Sequence, residues 1–230
     1  MSEPQDHGGA VLNRVRSSRR NHTLWFAIIA IVGFAILTPL DPWLWQVLMV
    51  DDVPRLEIRD IYQVFRQVGH LSLWIVLAVA SWVLLGHARH RSREWFRSGA
   101  VLIVAPLIAG GVSELAKRVI GRYRPGVLDE SGVYVFKPLF SAFTDDSNLG
   151  IPSSHATVAF AGALILTRLY PGLGFLALPL ATGCALTRLL TGAHYCTDVW
   201  AGICIAYVVS DAVYRLCGPR HGTLARSTSS

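Results

Sequence analysis

Six long apolar stretches, Leu24–Leu40, Val68–Leu85, Gly99–Ala116, Ala156–Leu169, Leu173–Leu190 and Val199–Leu216, leave this chain few ways to fold. Each approaches the roughly 20 residues that a helix needs to cross about 30 Å of hydrocarbon, several of them by borrowing flanking residues. With 52% hydrophobic and only 16% charged residues in a chain of 230, a soluble domain is the poorer match. The expected fold class is therefore all-α, a six-transmembrane-helix bundle over residues 22–217. A mobile basic N-terminus, 1–21, precedes it and a mobile tail, 218–230, follows.

Charge in the connections orients the bundle. Arg14, Arg16, Arg19 and Arg20 precede the first span, Arg89, Arg91, Arg93 and Arg97 fill the second connection, and Arg215, Arg220 and Arg226 follow the last. Positively charged loops stay inside, so both termini are expected in the cytoplasm and the first, third and fifth connections outside, in a multi-pass protein of the cytoplasmic (inner) membrane. The third connection breaks the pattern, because Lys117, Arg118, Arg122, Arg124 and Lys137 sit on the side that disfavours them. Cations kept there point to an anionic ligand.

Between the first two spans, Ile58, Ile61, Val64, Phe65 and Val68 recur at helical spacing among charged residues, as in a short interfacial helix, with Trp43 and Trp45 beside it in the aromatic belt. The net charge of +6 is concentrated in cytoplasmic arginines that face anionic lipid, and nothing calls for nucleic acid. Cys184, Cys196, Cys204 and Cys217 form no C-x-x-C pair and read as free thiols. No cleavable secretory signal is evident.

Three polar segments stand out against this apolar background. Lys117 and Arg124 are seven residues apart, two helical turns, although Pro125 pushes Arg124 out of helical geometry and marks the end of the third helix. Glu114, one turn before Lys117, is placed to pair with it. Pro152-Ser153-Ser154-His155 opens the fourth apolar run, where capping hydroxyls and free N–H groups favour an anion. In the last segment Arg188 supplies a planar fork, Gly192 a tight turn, and His194 and Asp198 an imidazole and carboxylate four residues apart. A carboxylate on one imidazole nitrogen leaves the other free to attack phosphorus. All three segments fall at outer helix ends, so permanent cations, two histidines and one carboxylate can converge on a phosphoryl-transfer site. Asp145 and Asp146 read as a solvated turn, and no metal is expected.

From Lys117 to Gly202 the chain resembles the type 2 phosphatidic acid phosphatase family, the membrane branch of a superfamily that includes vanadium haloperoxidases. The resemblance implies that Lys117, Arg124, Arg188, Ser153 and the backbone N–H of Ser154 bind phosphate. It also implies that His194 is the nucleophile, Asp198 orients it, and His155 protonates the leaving oxygen, without metal or cofactor. Ser154 stands where the family usually has glycine, and Thr187 replaces the common serine before Arg188.

The expected function is an integral membrane lipid phosphatase that cleaves a phosphate or pyrophosphate ester through a phosphohistidine at the outer face. Its partners are a lipid phosphate and the surrounding membrane lipids. Phosphatidate, phosphatidylglycerol phosphate, undecaprenyl pyrophosphate and lipid A are the candidate substrates. A lipid phosphotransferase using the same phosphohistidine, or a phospholipid-binding or transport protein without turnover, stays open at this point. The sequence is silent on oligomeric state. The apolar Val133–Phe140 part of the third connection is expected to touch the membrane or a lipid tail.

Overall fold

The structure is a computed structural model that describes residues 7–88, 93–126 and 134–219, with the side chains of 7–20 and 85–88 excluded. The inner arginines at 89, 91, 220 and 226, the side chains of those at 14–20, Val133 and most of the C-terminal tail fall outside what is described. Eight α-helices follow in order among the described residues: α1 (His7–Leu48), α2 (Val53–Glu57), α3 (Asp60–Val68), α4 (Leu71–Ala88), α5 (Arg93–Ile120), α6 (Ser154–Leu169), α7 (Gly174–Leu190) and α8 (Cys196–Cys217). There is no strand among them, only isolated bridges from Arg122 to Phe136 and from Tyr123 to Leu149.

The all-α class stands, and the chain is a multi-pass membrane protein. Helix length and composition support four to five of the six expected spans among the described residues. Among the described residues four segments, Asn21–Leu48, Arg93–Ile120, Pro171–Leu190 and Cys196–Cys217, are long and apolar enough to cross a membrane. A fifth candidate is α3 with α4, which meet at a 75° bend. The sixth apolar run is α6, whose 16 residues extend only about 24 Å. It starts after Pro152 and stops at Tyr170-Pro171.

The chain divides into two compact units at Leu40/Asp41. Residues 21–40 of the first are helical, with Trp25, Ile29, Ile31 and Ile36 exposed. In the second unit α6 packs against α5, α7 and α8, and α4 packs against α5. Alanines 156, 159, 161 and 163 of α6 are fully buried, and small side chains let neighbouring backbones approach closely. A Cβ at Gly162 would overlap the ring of Trp74 on α4, and one at Gly202 of α8 would stand 2.9 Å from the Ser153 carbonyl oxygen.

The amphipathic helix expected before the second span is present but broken. Asp52 caps α2, Ile58 and Arg59 interrupt it, and α3 leaves Ile61 and Val64 exposed while burying Tyr62 and Val68. In the connection after α5, Phe136, Leu139, Phe140 and Phe143 are exposed apolar groups. Tyr134 instead turns inward and donates its hydroxyl to Asp41 at 2.8 Å.

Candidate active site

The C-terminal ends of α5 and α7 and the N-terminal ends of α6 and α8 meet at one end of the second unit, and the three polar segments come together there. His194 occupies the turn between α7 and α8, where Gly192 takes φ +65°. Its Nδ1 lies 3.2 Å from Asp198 Oδ2. That oxygen also accepts from the backbone N–H of Tyr195 at 2.9 Å, so one carboxylate both caps α8 and fixes the imidazole. His194 is 2% exposed and Asp198 0%, which leaves the histidine's Nε2 as its only nitrogen free of Asp198. Burial pushes the His194 pKa below its ordinary value, against the opposing pull of Asp198. The neutral, nucleophilic form therefore prevails near neutral pH.

Ser153 is the N-cap of α6 yet makes no side-chain cap bond. Its backbone N–H donates to the Asp198 carbonyl at 2.9 Å, which ties α6 to α8. Ser153 Oγ, His155 Nε2 and Arg188 Nε are buried without a hydrogen-bond partner. Buried polar groups are normally satisfied, so three orphans gathered at one helix junction mark a ligand site. Lys117 and Arg188 both act electrostatically on His194. Lys117 bonds Glu114 at 3.0 Å, as the i,i+3 spacing predicts, and Glu114 also accepts from the Ser154 hydroxyl.

Several expectations change in detail. Lys117 and Arg124 do not share a helical face: α5 ends at Ile120, Gly121 adopts φ +67°, and the chain continues as a short bridge-paired segment. Arg124 is held there by its own N–H to the Asn148 carbonyl and by Nε to the Leu149 carbonyl, at 2.9 and 3.1 Å. Thr187 turns its hydroxyl back onto the Cys184 carbonyl at 2.6 Å, so it does not join the cluster. Of the five cations in the third connection, Arg118 pairs with Asp146 at 3.0 Å and Lys137 with Asp145 at 2.6 Å. Those two aspartates are thus ion-paired and not merely solvated.

Sequence reasoning missed a second layer. Arg122, 5% exposed, forms an ion pair with Asp198 and donates to Thr197 Oγ1 at 2.8 Å. Its guanidinium also sits 4.6 Å from the Tyr134 ring centre and 5.5 Å from that of Tyr195. Asp41, fully buried, accepts from the Thr197 backbone N–H at 3.1 Å and from the Thr197 hydroxyl. Burial and the bond to Asp41 raise the Tyr134 pKa, which keeps the phenol a donor. Trp45, read as part of an aromatic belt, instead donates Nε1–H to the Gly192 carbonyl at 3.1 Å. An aspartate directly after the first apolar run, at a helix position that falls within Asn21–Leu48, was the available signal, since a carboxylate at membrane depth demands a partner.

Residues 98–221 match the PAP2 superfamily. The chain is 31% identical over 144 residues to lipid A 1-phosphatase of Rhizobium etli, covering 60% of this chain and 61% of that protein. It is 34% identical over 152 residues to decaprenylphosphoryl-5-phosphoribose phosphatase of Mycobacterium tuberculosis, covering 66% and 75%. The chain thus spans less than two thirds of the first relative's length and about three quarters of the second's. Its fold is similar to the crystal structure of a transmembrane PAP2 type phosphatidylglycerolphosphate phosphatase from Bacillus subtilis, with TM-score 0.56 at 20% identity over 84% of this chain and 92% of that one. With over half its length matched, and with the matched segment carrying every residue of the three polar segments, the chain belongs to the PAP2 superfamily.

Proposed function

We propose that this protein is a membrane lipid phosphatase that works through a phosphohistidine on His194, with its site on the outer face of the cytoplasmic membrane. The observation that carries the reading is the buried His194–Asp198 pair at 3.2 Å, set among orphaned donors on Ser153, His155 and Arg188. Lys117, Arg124, Arg188, the Ser153 hydroxyl and the Ser154 N–H hold the phosphate. Nε2 of His194 attacks phosphorus, the P–O ester bond breaks, and the leaving oxygen takes its proton from His155. Water then attacks the phosphohistidine, His155 removes the water proton, and phosphate departs with its bond to Nε2 broken. Asp198 stabilises the imidazole throughout.

No carboxylate bonds the His155 ring, and the permanent charges that act on it are the cations Arg188 and Arg66. Its proton is therefore held by the bound phosphate dianion, which couples general acid catalysis to substrate binding. Three cations from the chain itself neutralise the phosphate, the role metals fill elsewhere, so the reaction is metal-independent in this reading. The relatives' names support a lipid substrate. The test is phosphate release by the purified protein from phosphatidate, phosphatidylglycerol phosphate, undecaprenyl diphosphate and lipid A, without added acceptor. His194→Ala should abolish release and acid-labile protein labelling by radioactive substrate; substantial turnover by that variant would remove His194 as nucleophile.

A further inference from the structure

Arg66 is a cation at this site with no counterpart in the phosphate-binding set. It lies in the last turn of α3, half-buried, and its side chain makes no hydrogen bond or ion pair with any described residue. Its Nε is buried and unsatisfied, like those of Arg188 and His155. Glu57, the carboxylate of the preceding helix, accepts from the Tyr62 hydroxyl at 3.1 Å and does not pair with Arg66.

The end of α3 is pressed against the site. A Cβ on Gly69 would stand 2.9 Å from both Cys184 Sγ and His155 Cβ, and the His70 ring meets His155 edge-on with centres 5.0 Å apart. Arg66 and Arg188 act on each other and on His155 electrostatically. Arg66, Gly69 and His70 follow one another at i, i+3 and i+4 along the end of α3, the spacing of one helix face, and Gly69 and His70 both meet His155, so the Arg66 and Arg188 charges share this end of the molecule and repel where burial reduces screening. Such an arrangement is stable when an anion joins it. A single phosphate dianion, however, already meets Lys117, Arg124 and Arg188.

Position shows where a further charge belongs. An apolar groove of about 570 Å³ runs between α3 and α7, lined by Phe65, Leu178, Gly183, Leu186 and Leu190 among others. Phe65 adjoins Arg66, and Thr187, also on the groove wall, adjoins Arg188. A lipid tail in this groove lies beside the two helix segments that carry Arg66 and Arg188, α3 and the end of α7.

We propose that Arg66 binds a second phosphate of the substrate headgroup, placed between the tail and the phosphate that is removed. The substrates are then lipids with two phosphates close together, either a diphosphate or a phosphodiester that carries a terminal monoester. The proposal rests on the lipid phosphatase reading and narrows its substrate class.

The test compares kcat/KM for phosphate release within two matched pairs: farnesyl diphosphate against farnesyl monophosphate, and phosphatidylglycerol phosphate against phosphatidate. In Arg66→Ala the preference for the two-phosphate member of at least one pair should fall by about 10- to 100-fold, the effect of removing one charge-assisted partner. Arg66→Lys, which keeps the charge and loses the fork, should fall between that variant and the wild type. Which pair responds tells a diphosphate from a phosphodiester. A preference unchanged in both pairs, including an equal loss on every substrate, overturns the subsite and assigns Arg66 to the scissile phosphate or to folding. A wild-type protein that releases phosphate from none of the four fails earlier, at the phosphatase reading itself.

Discussion

Arg122→Met removes the positive partner from a carboxylate that water does not reach. Asp198 is 0% exposed and Arg122 5%, so the loss strands a buried charge, a change that costs about 3–5 kcal/mol in buried pairs. Asp198 retains two donors, the Tyr195 N–H at 2.9 Å and His194 Nδ1 at 3.2 Å, and these place the expected loss near the low end, about 3 kcal/mol. The ring contacts at 4.6 and 5.5 Å vanish in the same variant and keep the loss from being smaller. Denaturant unfolding in mixed micelles, followed by tryptophan fluorescence, reads the change. The double variant Arg122→Met/Asp198→Asn neutralises the stranded charge and should recover about half of the loss, giving strong non-additivity. A single variant within about 0.5 kcal/mol of wild type, or a strictly additive double variant, refutes the idea that Arg122 neutralises Asp198.

If His194 is the nucleophile proposed above, its depressed pKa keeps it neutral below the ordinary imidazole value of about 6.5, and the acidic limb of kcat/KM should lie below that pH. A limb centred at or above it contradicts the burial argument. Asp41→Asn keeps the shape but weakens the acceptor of Tyr134 and Thr197, and should lower stability by about 1–3 kcal/mol and reduce kcat more than it raises KM. An unchanged kcat shows that the network does not reach the nucleophile. Phosphate release should persist in EDTA and be blocked by vanadate; loss in EDTA that magnesium restores rejects neutralisation by Lys117, Arg124 and Arg188 alone.

The four helix ends that build the site were legible because apolar runs and polar punctuation alternate cleanly from Gly99 to Leu216. Partner choice was not. Arg122 and Arg124 are identical side chains two residues apart, and nothing local says that one pairs with Asp198 while the other is left with backbone carbonyls. Gly121 turns the chain before either of them, so two-turn spacing from Lys117 lost its meaning. The bond from Thr197 to Asp41 spans 156 residues, a separation at which no periodicity operates. The span count is less legible for a different reason. Helix α6 is enclosed by its neighbours, so its 16 residues answer to packing and not to bilayer thickness.

The turn that carries His194 hangs from the end of α7 by its own backbone, Gly192 N–H to the Leu189 carbonyl at 2.9 Å and Ala193 N–H to the Arg188 carbonyl at 3.2 Å, and it draws further support from a distant stretch of chain. Residues 191–193 are only partly buried, and Gly192 sits in the left-handed region that a side chain would resist. Phosphoryl transfer nevertheless needs its nucleophile fixed within about half an ångström. The turn is held from outside the segment that matches the PAP2 superfamily: Trp45 donates to the Gly192 carbonyl, the Val50 N–H to the Leu190 carbonyl at 3.0 Å, and Asp41 grips Thr197 just past the turn. Arg66 and His70 also lie before residue 98. The proposed reacting groups and the parts that steady them thus come from different stretches of one chain. Changes in residues 41–70 can therefore alter positioning and substrate choice while leaving every reacting group in place.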